Sequence, residues 1–192
     1  GDITMDAILD PNVTGLAKEM IGEAGLPVHW LPGNHDINPK NLPATIAAYT
    51  ENFGPLCSRA EYKGVVFLMV YTEPLRGEFV VDGFDVYEWT QRELKAAGRK
   101  PVIIFHHSPS IDDFYKGKFH DSWKAEGRAR WHRLIESHKN IKAVIAGHFH
   151  RDEFHWIGEV PQFVCPPAAS LFGMSVVSYR IYEYTDGKVG YR

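Results

Sequence analysis

The sequence predicts an α/β domain with a mixed sheet system, and three observations carry that prediction. Nearly continuous apolar runs of strand length, VVFLMVY at 65–71, VIIF at 102–105 and IKAVIA at 141–146, have the unalternating character of strands buried on both faces. Segments with apolar residues at helical spacing lie between them. The C-terminal tail instead alternates apolar and polar residues, as antiparallel strands with one solvent face do.

The elements follow in order. Residues 12–24 set Val13, Leu16, Met20, Ile21 and Ala24 at helical spacing, with Asn12 as the expected N-cap and Gly25 as the stop. Residues 28–31 read as a short strand ending at Pro32-Gly33, and 65–71 is the next strand. A second helix over 85–97 is opened by the capping box Asp85-x-x-Glu88 and closed at Gly98. The strand at 102–105 ends where His106 and His107 begin. A helix over 128–138 places Trp131, Leu134, Ile135 and His138 on one face, and the strand at 141–146 ends at Gly147. Stretches 163–165, 176–184 and 189–191, with a turn at Asp186-Gly187, are expected to form an antiparallel meander. No repeat, low-complexity stretch or linker interrupts the chain, so 1–192 is expected to be one domain.

Composition narrows the function. The 192 residues are 44% hydrophobic and 23% charged, enough for one sizeable core. Lys and Arg number 21 against 24 Asp and Glu, so no basic footprint for a nucleic-acid polymer or an anionic membrane is present. No run approaches the roughly 20 apolar residues of a membrane span. The opening GDITMDAILD is acidic and polar, unlike a signal peptide, and a soluble protein of unassigned compartment is expected. Cys57 and Cys165 lack metal-ligand spacing; they are expected as free, partly buried thiols, with a disulfide between them left open. Oligomeric state leaves no mark in the sequence.

Histidine is the informative residue. Of ten, five fall in two clusters, HH at 106–107 and HFHRDEFH at 148–155. The segments GNHD, HHSP and GHFH each follow the carboxyl end of a predicted strand, where open α/β sheets place their sites. Together with Asp2 they offer Asn34, His35, Asp36, His106, His107, His148 and His150. Imidazole, carboxylate and amide oxygen without thiolate suit borderline metals such as Zn, Mn, Fe or Co. Two such ions about 3.5 to 4 Å apart can activate water and clamp the attacking and leaving oxygens of a phosphoryl displacement.

Four motifs in order, Gly1-Asp2, Gly33-Asn34-His35-Asp36, His107-Ser108-Pro109 and Gly147-His148-Phe149-His150, make the chain resemble the calcineurin-like metallophosphoesterases. The branch near class III cyclic-nucleotide phosphodiesterases and purple acid phosphatases is the most similar, since Asn52-Phe53-Gly54-Pro55 followed by GVVFLMVY also resembles it. The resemblance implies a four-layer αββα sandwich with two mixed β-sheets and a pair of divalent or trivalent ions (Mn, Fe, Zn or Co). It implies hydrolysis of a small phosphodiester or phosphomonoester by a metal-activated hydroxide. By the same resemblance Asp2 bridges the ions, Asn34, His107 and His148 complete the second metal's set, and His150 binds the first. His35 would act beside the phosphate as proton donor, with Asp36 orienting its ring. His106 stays an alternative to His107, which is preferred for its place two residues before proline.

The family's first motif, Asp-x-His on a central strand, is not among the 192 residues, and two expected ligands of the first metal go with it. An upstream segment outside this sequence is the favoured explanation, ahead of a strand donated by a second chain or a single-metal relative. A non-catalytic scaffold that keeps the fold is the alternative function. His29, His132, His138 and His155 are expected in surface or packing positions. His120, in the loop KGKFHDSW, is expected in solvent, with a substrate contact as the alternative. Asp6 stays open between a contact near the site and a plain loop carboxylate. Trp89 and Trp131 are expected in the core, and loops 72–85 and 110–127 are expected to read the substrate.

Overall fold

Six strands make one mixed sheet: β1 (Ser58–Tyr62), β2 (Val65–Met69), β3 (Val102–Phe105), β4 (Ile141–Ala146), β5 (Glu153–Ile157) and β6 (Val160–Val164), in the order β1-β2-β3-β4-β6-β5. The four inner strands β2, β3, β4 and β6 run parallel, and β1 and β5 pair antiparallel at the two edges. A second sheet is the antiparallel hairpin of β7 (Tyr182–Thr185) and β8 (Lys188–Tyr191). The helices are α1 (Pro11–Gly22), α2 (Leu42–Phe53), α3 (Glu73–Gly77), α4 (Val86–Ala97) and α5 (Ala125–Glu136). These elements come from a computed structural model that describes residues 1–23, 25–169 and 177–192. No described helix is long and apolar enough to cross a membrane.

Successive side chains of a strand point to opposite faces, and here both faces are covered. Val66, Leu68, Val102, Ile104 and Val144 meet Tyr49, Leu94, Trp131 and Ile135 of the helices in the larger core. Val65, Ile103, Ala143, Ile145 and Phe163 form a smaller core beneath the hairpin residues Tyr182, Tyr184 and Val189. Double burial is the reason the central runs are apolar without alternation. Helices, a six-stranded mixed sheet and the hairpin sheet give the mixed α/β architecture that the resemblance implies.

Several local expectations need correction. The N-cap of α1 is Asp10, whose carboxylate accepts the Asn12 N–H at 2.9 Å, and Pro11 takes the first helical turn, which suits its fixed φ. Residues 28–31 are not a strand, because no described segment supplies the ladder partner a strand requires. Helices α2 and α3 and strands β1 and β5 are additions to the elements that the sequence pattern predicts, β5 falling within the histidine-rich stretch. In the tail, residue 176 lies outside the described residues and 177–181 form no strand, so β7 starts at Tyr182. The Asp186-Gly187 turn is as expected, with φ of 52° and 80° at its two residues, the backbone that a tight hairpin demands. Asp85 caps α4 by accepting the Tyr87 and Glu88 N–H groups at 2.8 and 3.0 Å. Cys57 and Cys165 are free thiols.

Candidate metal centre

The centre is built where parallel strands end. β3 stops at Phe105, and the loop after it is joined to the loop after β4 by the Gly147 N–H donating to the His107 carbonyl at 2.8 Å. Asp2, His148 and His150 all hold left-handed backbone, with φ of 56°, 63° and 54°. Such positions cost about 1 kcal/mol or more each and persist only when the surroundings impose them.

The resulting geometry is tight. His107 Nε2 lies 2.9 Å from Asp2 Oδ2 and 3.0 Å from Asn34 Oδ1, so both oxygens converge on one imidazole nitrogen. Ligand atoms of Asp2, His107 and His148 lie within 4.8 Å of one another. The His107 and His148 rings meet edge-on, with centroids 5.0 Å apart. The His35 N–H donates to Asp2 Oδ1 at 2.9 Å. Burial pushes the Asp2 carboxyl up, but His107 and the His35 backbone N–H outweigh it and hold it below the usual carboxylate range.

His148 tests whether the site suits a cation. Its Nε2 is buried with no hydrogen-bond partner. Burial, and then the neighbouring His107, push its pKa down to about 2, so the ring is neutral, the form in which imidazole binds metals. An unpaired buried ring nitrogen of a neutral imidazole beside a carboxylate and a second imidazole fits a divalent ion. The packing leaves no slack either: a Cβ on Gly33 would stand 2.1 Å from Asp2 Oδ1, so only glycine lets Asp2 sit there.

His107, not His106, faces this centre. The His106 ring is 1% exposed and stands edge-on to Trp131 and Trp123 at 5.7 and 6.1 Å, inside the helix-side core. The loop that carries the pair is held by a residue the sequence did not flag. Glu73 is 2% exposed, accepts the Ser108 hydroxyl at 2.6 Å and pairs with Arg76 Nε at 2.5 Å. It sits on the short α3, within a stretch read as loop, and carried no recognisable signal.

Asp36 is placed differently from expectation. It is buried and accepts the Thr4 N–H and hydroxyl at 2.9 and 3.0 Å and the Gly33 N–H at 2.9 Å. It thus ties the opening segment to the Gly33 turn and does not orient His35. The partner of His35 is Asp6, whose Oδ2 lies 3.0 Å from His35 Nδ1. A carboxylate four residues after Asp2 was the available signal, and sequence alone left its role open.

His150 stands outside the tight group, and His120 joins it. The His120 ring is half-buried, 5.2 Å from that of His150 and 5.3 Å from that of His148, so the expectation of a solvated residue is corrected. The other histidines make local contacts or none: His132 Nε2 is 2.7 Å from the Ser110 carbonyl, His138 Nδ1 2.9 Å from that of Leu134, His155 Nε2 2.9 Å from Glu153, and His29 is exposed. A cleft of about 760 Å³ near Phe154, Trp156 and Lys188 lies beyond the opposite end of β4 and includes none of the metal-centre residues.

The calcineurin-like phosphoesterase family model matches residues 1–152. The chain is 22% identical over 187 residues to the serine/threonine-protein phosphatase CPPED1 of Bos taurus, an alignment covering 88% of this chain and 56% of that protein. It thus spans about half the length of that curated relative. A crystal structure of a dimetal phosphatase from Danio rerio shares the fold, with a TM-score of 0.56 and 13% identity over 86% of this chain and 70% of that one.

Proposed function

Because the chain belongs to the calcineurin-like phosphoesterases, we propose that it hydrolyses a phosphoester of a small molecule, a monoester or a diester, with two divalent ions. The observation that carries the reading is the unpaired, buried Nε2 of His148 beside Asp2 and His107. Asp2, His107 and His148, with Asn34 against His107, would hold one ion, and Asp2 with His150 would serve the other. Mn, Fe, Zn and Co all suit this donor set. Ions held there supply Lewis acidity, acidifying a coordinated water and neutralising charge on the phosphoryl oxygens.

The chain's own groups do the rest. Asp6 engages Nδ1 of His35, which leaves Nε2 as the nitrogen for substrate, and His35 delivers a proton to the departing oxygen. Asp36 keeps the loop of Asp2 and the loop of Asn34 in register through Thr4 and Gly33. Glu73 keeps Ser108, and with it the His107 loop, in place. Loops 72–85 and 110–127 read the remainder of the substrate. The near-balanced charge, 21 basic against 24 acidic residues, favours a small substrate over a nucleic-acid polymer, and residues 1–192 act as one domain.

The test is Mn²⁺-dependent hydrolysis of chromogenic phosphomonoesters and phosphodiesters by the full chain, with and without chelator, alongside His107→Ala. Hydrolysis that needs Mn²⁺ and falls at least about 100-fold in the variant is expected. Hydrolysis that survives both chelator and His107→Ala would overturn the reading.

A further inference from the structure

We propose that Arg76 is a positioning residue for substrate: its guanidinium joins the loop of His107 to the segment 118–121 and holds that segment beside the centre. The inference rests on reading Asp2, His107 and His148 as the site of phosphoester hydrolysis, and extends it to a side chain of α3 that no motif contains.

Arg76 stands between two loops. Its Nε donates to Glu73 at 2.5 Å, and Glu73 accepts the hydroxyl of Ser108, the residue after His107, at 2.6 Å. Its Nη1 donates to the carbonyl of Asp121 at 3.2 Å, one residue after His120, whose ring packs on His148 and His150. The rigid fork of a guanidinium offers donors in two directions at once, so a single side chain sets the distance between the two loops.

The guanidinium governs a defined stretch of chain. Trp123 Nε1 donates to the Ser108 carbonyl at 3.0 Å, and the Lys124 N–H donates to the Arg76 carbonyl at 3.2 Å; neither bond involves the guanidinium. On the other side Asp113, fully buried, accepts the Tyr115 and Gly117 N–H groups at 3.1 and 3.3 Å and pairs with Arg151 at 2.8 Å. Phe119 and His120 lie between these anchors, and the Arg76 bond to Asp121 closes the span. Helix α3 is itself held against α5, since a Cβ on Gly127 would stand 2.0 Å from the Leu75 carbonyl oxygen.

The pair serves geometry more than stability. The Glu73 side chain is 2% exposed and that of Arg76 12%, and for charges so buried the cost of leaving water offsets most of their attraction. What the pair retains is direction. A lysine at 76 would keep an ion pair with Glu73 as a single point charge and would lack the second, rigidly placed nitrogen that reaches Asp121. Support of this kind is what holds a substrate-contacting loop in productive geometry.

The experiment compares the full chain with Arg76→Lys, by Mn²⁺-dependent hydrolysis of the chromogenic esters and by hydrogen exchange of backbone amides. If that variant fails to fold by circular dichroism, Arg76→Met combined with Glu73→Gln stands in, because it removes both charges and keeps an acceptor for Ser108. The expected result is a rise in KM of about fivefold or more with kcat within about twofold, and faster exchange at 118–122 with β3 and α5 as in the wild type. Wild-type KM, wild-type exchange at 118–122, or faster exchange throughout the fold would each overturn the inference. A wild-type chain that hydrolyses neither ester with Mn²⁺ would overturn the phosphoester reading itself, an outcome distinct from failure of Arg76.

Discussion

Asp6 and His35 are joined twice across 29 residues of chain: Asp6 Oδ2 meets His35 Nδ1 at 3.0 Å, and the Asp6 N–H donates to the His35 carbonyl at 2.8 Å. Met5 and Asp6 hold left-handed backbone, with φ of 44° and 69°, to make both contacts. Strain of that kind at a side chain is commonly retained where it aims a group. In the proposed mechanism the carboxylate sets which imidazole nitrogen is left for substrate.

Asp6→Asn should therefore lower kcat about tenfold or more while KM stays within about twofold, the behaviour of a residue that positions another. His35→Ala should cost more, about 10² to 10⁴ in kcat, as removal of a general acid does. Neither variant should change metal content by elemental analysis. Full kcat in Asp6→Asn would reduce the pair to a structural contact.

Two glycine substitutions separate site packing from backbone propensity. Gly33→Ala would bring a Cβ to 2.1 Å from Asp2 Oδ1 and 2.5 Å from its backbone nitrogen, so Asp2 must move. Metal binding should weaken at least tenfold, with stability lower by about 1 to 3 kcal/mol from overpacking. Gly15→Ala lies within α1 with nothing near the added methyl and should stabilise by about 0.5 to 1 kcal/mol. Denaturant melts and metal titrations of both variants check the contrast.

His106 should make the fold acid-sensitive. Burial is the main cause holding its pKa down to about 3, and a backbone contact at Ser108 offsets only part of that. The unfolded histidine titrates near ~6.5. Between ~6.5 and about 3 the unfolded chain takes up a proton that the folded ring resists, so stability is intact above ~6.5 and falls as pH drops through that window. His106→Leu should flatten the dependence of Tm on pH across the window and leave stability at pH ~7 unchanged or slightly higher, because the ring lies against Trp123 and Trp131 and gives up only the weak backbone contact at Ser108. A Tm profile as steep as that of the wild type would remove His106 as the cause.

What the sequence determined by itself is what neighbouring residues record. The run VIIF is apolar at every position because β3 is buried on both faces, and the Asp85 box states its own helix start. His107 and His148 were legible because each sits in a short motif after a strand, β3 and β4, and strand ends on one edge bring such motifs together; Asp2 and Asn34 were legible from their short motifs alone. The partners of those residues were decided only in three dimensions. Nothing local says that His35 meets Asp6 and not its neighbour Asp36, that His106 turns into the helix-side core, that Glu73 holds Ser108, or that His120 lies against His148 and His150. The reason is physical: periodicity and motif spacing encode which face of an element is buried and which donor atoms it carries. A hydrogen bond across 29 or 35 residues depends on loop paths that only the packed sheet imposes.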